Sequence, residues 1–464
     1  MIQLFVNREE ELRFLEEKYT SPGAQLLVIY GRRRIGKTEL LLRSVRGRKH
    51  VYYLAERTSI PANIAKLVRR MAEYLGRESF ARISFADFEE LFAEFLEWKP
   101  RDERVVVIID EFPYLVELDP GVLSLFQRVW DEYLSWRPDV VLVLCGSSVG
   151  MMETEVLSYR SPLYGRRTGQ WKVQELGVRH ILSFAPGYSP EEAVKVYGAW
   201  GGVPAYLKLL DPSVGFMENL ERLFFRRGAV LYEEAENLLR QELRDPRSYK
   251  LILQALAEGR RRVTEISSAT GLDKTAMSKY LDTLELLDVV GYETPVLAAP
   301  KTRKRFYFIK DNYFNFWFRY VQPNRDLIES DRVEEVLELV SRDYDSYMGP
   351  VFERVARKFI YKASPAFPVA KAGRHWFTTP QGKVVEIDIL AHDSAKERFL
   401  ACEVKWGKLG AKDLRRLAWE LEEKVRLLNL NAEVQKCIIA RELSKSEAPE
   451  GVLVFDFYDI IGSV

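Results

Sequence analysis

Cysteine is scarce in this sequence: three occur in 464 residues, Cys145, Cys402 and Cys437. No two of them form a CxxC pair, which excludes a disulfide framework and a zinc ribbon. Histidine is equally thin, at four scattered positions. No uninterrupted apolar run nears the ~20 residues needed to cross a bilayer. The opening residues, IQLFVNREEE, lack the basic-then-apolar order of a secretory leader. A cytoplasmic protein with no membrane partner is expected. Neither sign of charge dominates, since 69 Lys+Arg stand against 68 Asp+Glu. That balance argues against wholesale polyanion binding and leaves local basic patches open. What the chain does have is 47% hydrophobic and 30% charged residues, a composition that buries real cores. Its length exceeds what one core supports, so several domains are expected.

The apolar patterning divides the chain. Up to about residue 176, short β-branched runs alternate with helical stretches: LLVIY (26–30), HVYYLA (50–55), VVVIID (105–110) and VVLVLCG (140–146). Runs this uniformly apolar predict parallel strands buried on both faces, an α/β sheet covered by helices. Residues 177–240 read as a helical lid broken by GGVPAYL. Residues 241–330 give a helix, a helix-turn-helix and a hairpin, the order of a winged helix. Residues 331–464 carry a long helix through Tyr361, strands near 373–378, 384–391, 398–404 and 435–440, and a charged helix at 411–428.

The chemistry is densest after the first strand. Gly31-Arg32-Arg33-Arg34-Ile35-Gly36-Lys37-Thr38 fits GxxxxGK[ST] in full, with a strand before it and a helix start, Glu39 onward, behind it. Such a loop turns successive backbone N–H groups and a helix N-terminus toward phosphates, Lys37 reaches the outer phosphate oxygens, and Thr38 can ligate Mg²⁺. ATP and Mg²⁺ are the expected ligands. Asp110 and Glu111 end the third strand at the carboxyl edge, where ligands of open α/β sheets bind. Asp110 is expected to hold the magnesium shell, and Glu111 to orient and deprotonate the attacking water. Ser147, with Ser148 beside it, is the candidate γ-phosphate sensor at the end of the next strand. Arg166 and Arg167 are candidate arginine fingers, acting in cis or toward a neighbouring copy in a homo-oligomer.

The ordered set FVNREEEL, GRRRIGKT, VVVIIDEFPYL, LVLCGSS, LYGRRTG and GGVPAYL resembles the archaeal ATPase family of the STAND class, related to AAA+ proteins, over roughly residues 5–210. By that resemblance Asn7 and Arg8 fall in an adenine-side box, and Pro204 falls in a lid motif that touches the base. From the residues alone, NREEEL is an N-capped helix start and GGVP a break between helices.

In the winged helix, Thr264 and Asp273 are expected to cap the second and third helices, with Gly271 in the turn between them. Lys274, Thr275, Ser278 and Lys279 then open the recognition helix. Arg260, Arg261 and Arg262, with Lys301, Arg303, Lys304 and Arg305 in the wing, supply phosphate-binding cations. DNA is the expected partner, and a protein partner the alternative. The aromatic run from Tyr313 to Tyr320 reads as core. Near the carboxyl end, Glu386-Ile-Asp388 and Glu403-Val-Lys405 set carboxylates and a lysine on strand faces. Asp388 and Glu403 would hold Mg²⁺, Lys405 would activate water, and Glu353 would add a ligand. This pattern resembles the PD-(D/E)xK nuclease fold of Holliday-junction resolvases, with EID in place of the Pro-Asp of its first motif. A cross-strand Asp/Glu/Lys salt bridge accounts for the same residues.

Overall fold

The structure, a computed structural model, describes residues 4–299, 302, 304–362 and 367–463. It forms two compact units, one spanning Phe5–Glu175 and one that begins at Leu176.

The first unit is a five-stranded sheet of β1 (Gln25–Tyr30), β2 (His50–Leu54), β3 (Val105–Asp110), β4 (Val140–Gly146) and β5 (Gly169–Lys172), in the order β2-β3-β4-β1-β5. Every pairing is parallel. β1, β3 and β4 are buried along their whole length, which is why their sequences are apolar without alternation. The helices Ile60–Leu75 and Phe88–Trp98 pack their apolar faces into the same core. Ser59 and Asp87 cap these helices, accepting from Ala62 N and Glu90 N. Because β4 lies between β1 and β3, the carboxyl ends of the three strands stand side by side.

The second unit joins the lid, winged-helix and tail segments in one body. Tyr344 and Tyr347 of the long helix Val333–Lys362 donate to the carbonyls of Lys195 and Gly198 in the helix Pro190–Trp200, each at 2.6 Å. Tyr313, Phe314, Phe316, Trp317, Phe318 and Tyr320 are all buried here, a hydrophobic centre rather than a surface.

The helices Arg247–Ala257, Val263–Thr270 and Lys274–Leu286 precede the antiparallel hairpin of β6 (Val290–Glu293) and β7 (Phe306–Ile309). Asp273 caps the third helix, accepting from Thr275 N at 2.7 Å, and Gly271 takes φ +70° in the turn. Thr264 does not cap the second. That helix begins at Val263, and the Glu265 carboxylate reaches back to the N–H groups of Arg261 and Arg262, each at 3.0 Å. A carboxylate at the third helical position does the work expected of a hydroxyl at the cap.

The tail is a mixed sheet of β8 (Lys371–Thr378), β9 (Val384–His392), β10 (Arg398–Leu409), β11 (Glu433–Leu443) and β12 (Val452–Phe455), in the order β12-β11-β10-β9-β8. β8, β9 and β10 pair antiparallel, while β10, β11 and β12 pair parallel. The helix Ala411–Leu428 makes the crossover that parallel neighbours β10 and β11 require.

Candidate functional site

The loop after β1 is built by backbone strain that glycine relieves. Gly31 sits at φ +154°, and a Cβ there would lie 2.5 Å from the carbonyl oxygen of Val173, so only hydrogen fits. Gly36 takes φ +92° and caps the helix Lys37–Ser44 without a side chain, leaving its first N–H groups facing outward for an anion. Lys37, buried to 6% exposure, donates to the carbonyls of Gly31 and Arg32 at 2.9 and 3.0 Å. Burial lowers its pKa, and the neighbouring Glu111 and Asp110 work against that fall. The ammonium is thus held over the loop with its charge favoured by the acidic pair. Arg8, itself at φ +93°, donates to Glu11 at 2.8 Å and to the carbonyl of Ile35 at 3.1 Å, bracing the loop from behind. Its neighbour Asn7 takes φ +58° and Arg34 φ +65°. Arg33 donates to the Tyr114 hydroxyl at 3.2 Å.

Thr38 Oγ1 donates to Asp110 Oδ2 at 2.6 Å, and the Tyr52 hydroxyl donates to the same oxygen at 3.0 Å. Asp110 Oδ1 accepts from Glu111 N at 2.9 Å. Glu111 stands at φ +53° and accepts from the Ser147 hydroxyl at the end of β4. The strand order brings these groups together: β4 inserts Ser147 between the loop and the acidic pair. Tyr52 was not anticipated. Its signal was the period of β2, which sets it two residues before Leu54, the residue in register with Asp110. Thr38 and Asp110 offer a hydroxyl and a carboxylate in contact, a donor set of hard oxygens suited to Mg²⁺.

Arg166 and Arg167 lie in the same unit and are already engaged. Arg166 makes a two-pronged contact with Asp131, both closest distances being 2.8 Å, and donates to the carbonyl of Pro162 at 2.8 Å. Hydrogen bonding to Arg166 holds the Asp131 carboxyl below its usual range. Arg167 donates to the carbonyl of Leu157 at 2.9 Å and covers the ring of Tyr164. Pro204, in the second unit, opens the short helix Pro204–Leu207.

In the tail, Glu403 and Lys405 share a face of β10 while Val404 is buried beneath them. Lys405 Nζ contacts Glu403 Oε1 at 2.6 Å and Asp388 Oδ2 at 3.3 Å, and Lys424 from the crossover helix contacts Glu403 Oε2 at 2.7 Å. Burial and the charge of Glu403 raise the Asp388 pKa. Burial would also raise Glu403, but Lys405 and Lys424 outweigh it and hold that carboxyl low. Glu353 is ion-paired with Arg374, whose guanidinium also contacts Glu386 at 3.0 Å and lies 3.7 Å from Glu293 of the wing. Burial raises the Glu353 pKa against the pull of Arg374. Asp388, Glu403 and Lys405 therefore meet, while Glu353 belongs to a neighbouring ion cluster. Among the described residues no three His, Cys, Asp or Glu side chains form a metal-sized group. Lys424 and Arg374 were missed, because nothing in a charged helix or in GRHW marks which cation turns inward.

On the winged helix, Lys274, Thr275, Ser278 and Lys279 are exposed along the recognition helix, as are Arg260, Arg262, Lys304 and Arg305. Arg261 is drawn inward, where burial and Arg374 lower its pKa. Lys301 and Arg303 lie outside the described residues. No helix among those described is long and apolar enough to cross a membrane.

A glycine-shaped phosphate loop, a buried lysine and an acidic pair on a 2-3-4-1-5 parallel sheet define a P-loop ATPase. Residues 5–210 match an ATPase domain predominantly from Archaea, so ATP binding and hydrolysis are the activity of this unit. Over its length the chain is 36% identical to an uncharacterized protein of Methanocaldococcus jannaschii, covering 98% of this chain and 100% of that one, and it belongs to that archaeal family. A shorter stretch is 50% identical over 48 residues to an uncharacterized ATP-binding protein of the same organism, covering 10% of this chain and 81% of that one. Residues 251–293 match an IclR helix-turn-helix domain, and residues 317–417 match a family of archaeal and bacterial proteins of unknown function. The Walker-type ATPase of Pyrococcus abyssi shares the fold, at TM-score 0.51 and 23% identity, covering 68% of this chain and 96% of that one.

Proposed function

We propose that the protein couples ATP binding and Mg²⁺-dependent hydrolysis to its grip on DNA. The contact of Thr38 with Asp110 at 2.6 Å carries this reading, because it joins the phosphate loop to the acidic pair through oxygens a magnesium ion would share. When bound, Mg²⁺ neutralises charge on the phosphate oxygens. Lys37 leaves the loop carbonyls for those oxygens. Glu111 accepts the proton of the water that attacks the γ-phosphorus, the bond to the β-phosphate oxygen breaks, and ADP and phosphate leave. Ser147, bonded to Glu111, is the group through which the loss of that phosphate is felt. Asn7 and Arg8 flank the nucleotide's base side. Arg166 and Arg167 neutralise transition-state charge after leaving Asp131 and Leu157, in cis or in a neighbouring copy.

The recognition helix and wing bind duplex DNA through Lys274, Lys279, Arg260, Arg262, Lys304 and Arg305, mostly at phosphates. The tail is read as a binding and regulatory module. Two lysines already neutralise Asp388 and Glu403, and Glu353 is taken by Arg374, so the carboxylates fit a metal poorly as they stand. The second reading, a metal-dependent nuclease using Asp388, Glu403 and Lys405 with Glu353, draws on their shared strand faces.

One experiment tests the coupling. Duplex DNA affinity is measured by anisotropy with ADP and with a non-hydrolysable ATP analogue, in wild type and Lys37→Ala. The wild type is expected to respond to the nucleotide and the variant not to. Equal affinity in every state removes the coupling. Cleavage of linear or branched DNA in Mg²⁺, abolished by Asp388→Ala, replaces the switch reading of the tail with the nuclease one.

A further inference from the structure

Between the wing and the tail sheet, within the second unit, runs a cleft of about 1000 Å³. One wall is the winged helix, with Arg262, Ser278, Lys304 and Arg305; the other is the β8–β9 hairpin, with Trp376 and Val384. We propose that this cleft takes a single strand of DNA, with its phosphates along the basic wall and an unpaired base stacked on Trp376. The inference rests on the DNA reading above and adds to it the strand form and the path.

The two walls are fixed to each other. Phe306 of β7 and Trp376 of β8 stack face to face, with ring centroids 4.4 Å apart and planes at 13°. Arg357 pairs with Glu293 of β6 at 2.8 Å, Arg374 of β8 lies 3.7 Å from the same carboxylate, and Lys371 Nζ donates to the carbonyl of Val296 at 2.8 Å. The cleft is thus a standing feature of one body, and a ligand entering it meets little reorganisation.

Its chemistry selects the occupant. Arg262 is 63% exposed in its side chain and meets Glu265 only at 3.9 Å, so most of its charge faces the opening. Lys304 and Arg305 are exposed beside it. Among the described lining residues the one carboxylate, Glu386, is paired with Arg374. The floor is a half-buried two-ring stack in which Arg262 adjoins Phe306, its guanidinium 5.3 Å from that ring centre, and Trp376 is the second ring. Cations lining a groove floored by aromatic rings are the means by which proteins track an unpaired strand. A duplex keeps its bases stacked on one another and has no free face for Trp376. Ser278 on the recognition helix lines the same cleft, so a duplex held on that helix and a strand peeled from it share one path.

Anisotropy of the full chain with labelled oligothymidylate and with a duplex of equal length tests this. Trp376→Ala is expected to weaken the single strand about tenfold, the loss of one base stack, with the duplex unchanged. Trp376→Phe is expected to restore most of the affinity, and an oligonucleotide bearing 5-iodouracil is expected to photocrosslink to Trp376 in the wild type. If duplex binding persists and neither the affinity nor the crosslink depends on Trp376, the strand path is overturned while the DNA reading stands. If neither DNA form binds, both fall. Competition by free dTMP as strong as by the oligonucleotide would make the cleft a nucleotide pocket and overturn the strand reading.

Discussion

Each unit sets a pair of carboxylates on its sheet, at the end of β3 in the first and within β9 and β10 in the second, and surrounds them with opposite company. Asp110 and Glu111 accept from neutral donors, the hydroxyls of Thr38, Tyr52 and Ser147. Asp388 and Glu403 are ion-paired to Lys405, and Glu403 to Lys424 as well. A hydroxyl rotates away at little cost when a metal or phosphate arrives. Lys405 and Lys424 cannot leave without abandoning the buried Glu403 charge, so their departure is opposed, although their own partial exposure lessens the cost. The first pair is poised to change partners, and the second is finished.

That contrast breaks or sharpens in four measurements. The largest effect is expected from Glu111→Gln, which keeps the shape and removes the base: ATP turnover should fall about a hundredfold or more with nucleotide binding retained, as read by single-turnover kinetics and calorimetry. Loss of binding instead would make Glu111 a structural residue. Next comes Glu403→Gln, which leaves Lys405 and Lys424 facing a neutral group and should cost about 2–3 kcal/mol in chemical unfolding. Asp388→Asn should act the other way. The folded-state pKa of Asp388 is raised, so its ionised form opposes folding at neutral pH, and that opposition fades as pH falls through the raised value. The variant is therefore expected to melt higher than wild type near pH 7 and to match it in acid. Glu403, held low, contributes stability above its unfolded pKa of about 4.3 that is lost as pH drops through its folded value. A pH titration of Tm in the two variants separates these signs. The smallest effect belongs to Arg166→Ala, whose partly exposed pair with Asp131 should change stability by less than about 1 kcal/mol. Any large fall in turnover there would then report a finger rather than a fold defect.

The phosphate loop was legible because its chemistry demands a fixed spacing on a strand–loop–helix frame. The apolar runs of β1 to β4 were legible because burial on both faces leaves no polar alternation. β5 was not, since GQWK is short and half exposed, and its place beside β1 is set by pairing that begins at Leu27 and Gly169. Tail strands from Lys371 to Leu443 showed their period, whereas β12, four half-buried residues, did not. The aromatic run near Tyr313 read correctly as core. What stayed hidden were the long-range partners: Lys424 lies 21 residues beyond the carboxylate it neutralises, and Arg374 lies 81 residues past Glu293. Such pairings are decided by tertiary packing, and residue type alone says only that a cation is somewhere available. Arg166 shows the same limit, since an arginine beside a phosphate site and one locked to Asp131 look alike in one dimension.

Of the eight described non-glycine residues with positive φ, four, namely Asn7, Arg8, Arg34 and Glu111, lie in or next in sequence to the residues that form and brace the phosphate loop and the acidic pair. Each such conformation costs on the order of 1 kcal/mol that glycine would not incur. A Glu111→Gly chain should therefore melt higher than wild type while hydrolysing nothing. Sturdiness and hydrolysis thus pull against each other at one position, because the strain at Glu111 falls on the residue proposed as the base.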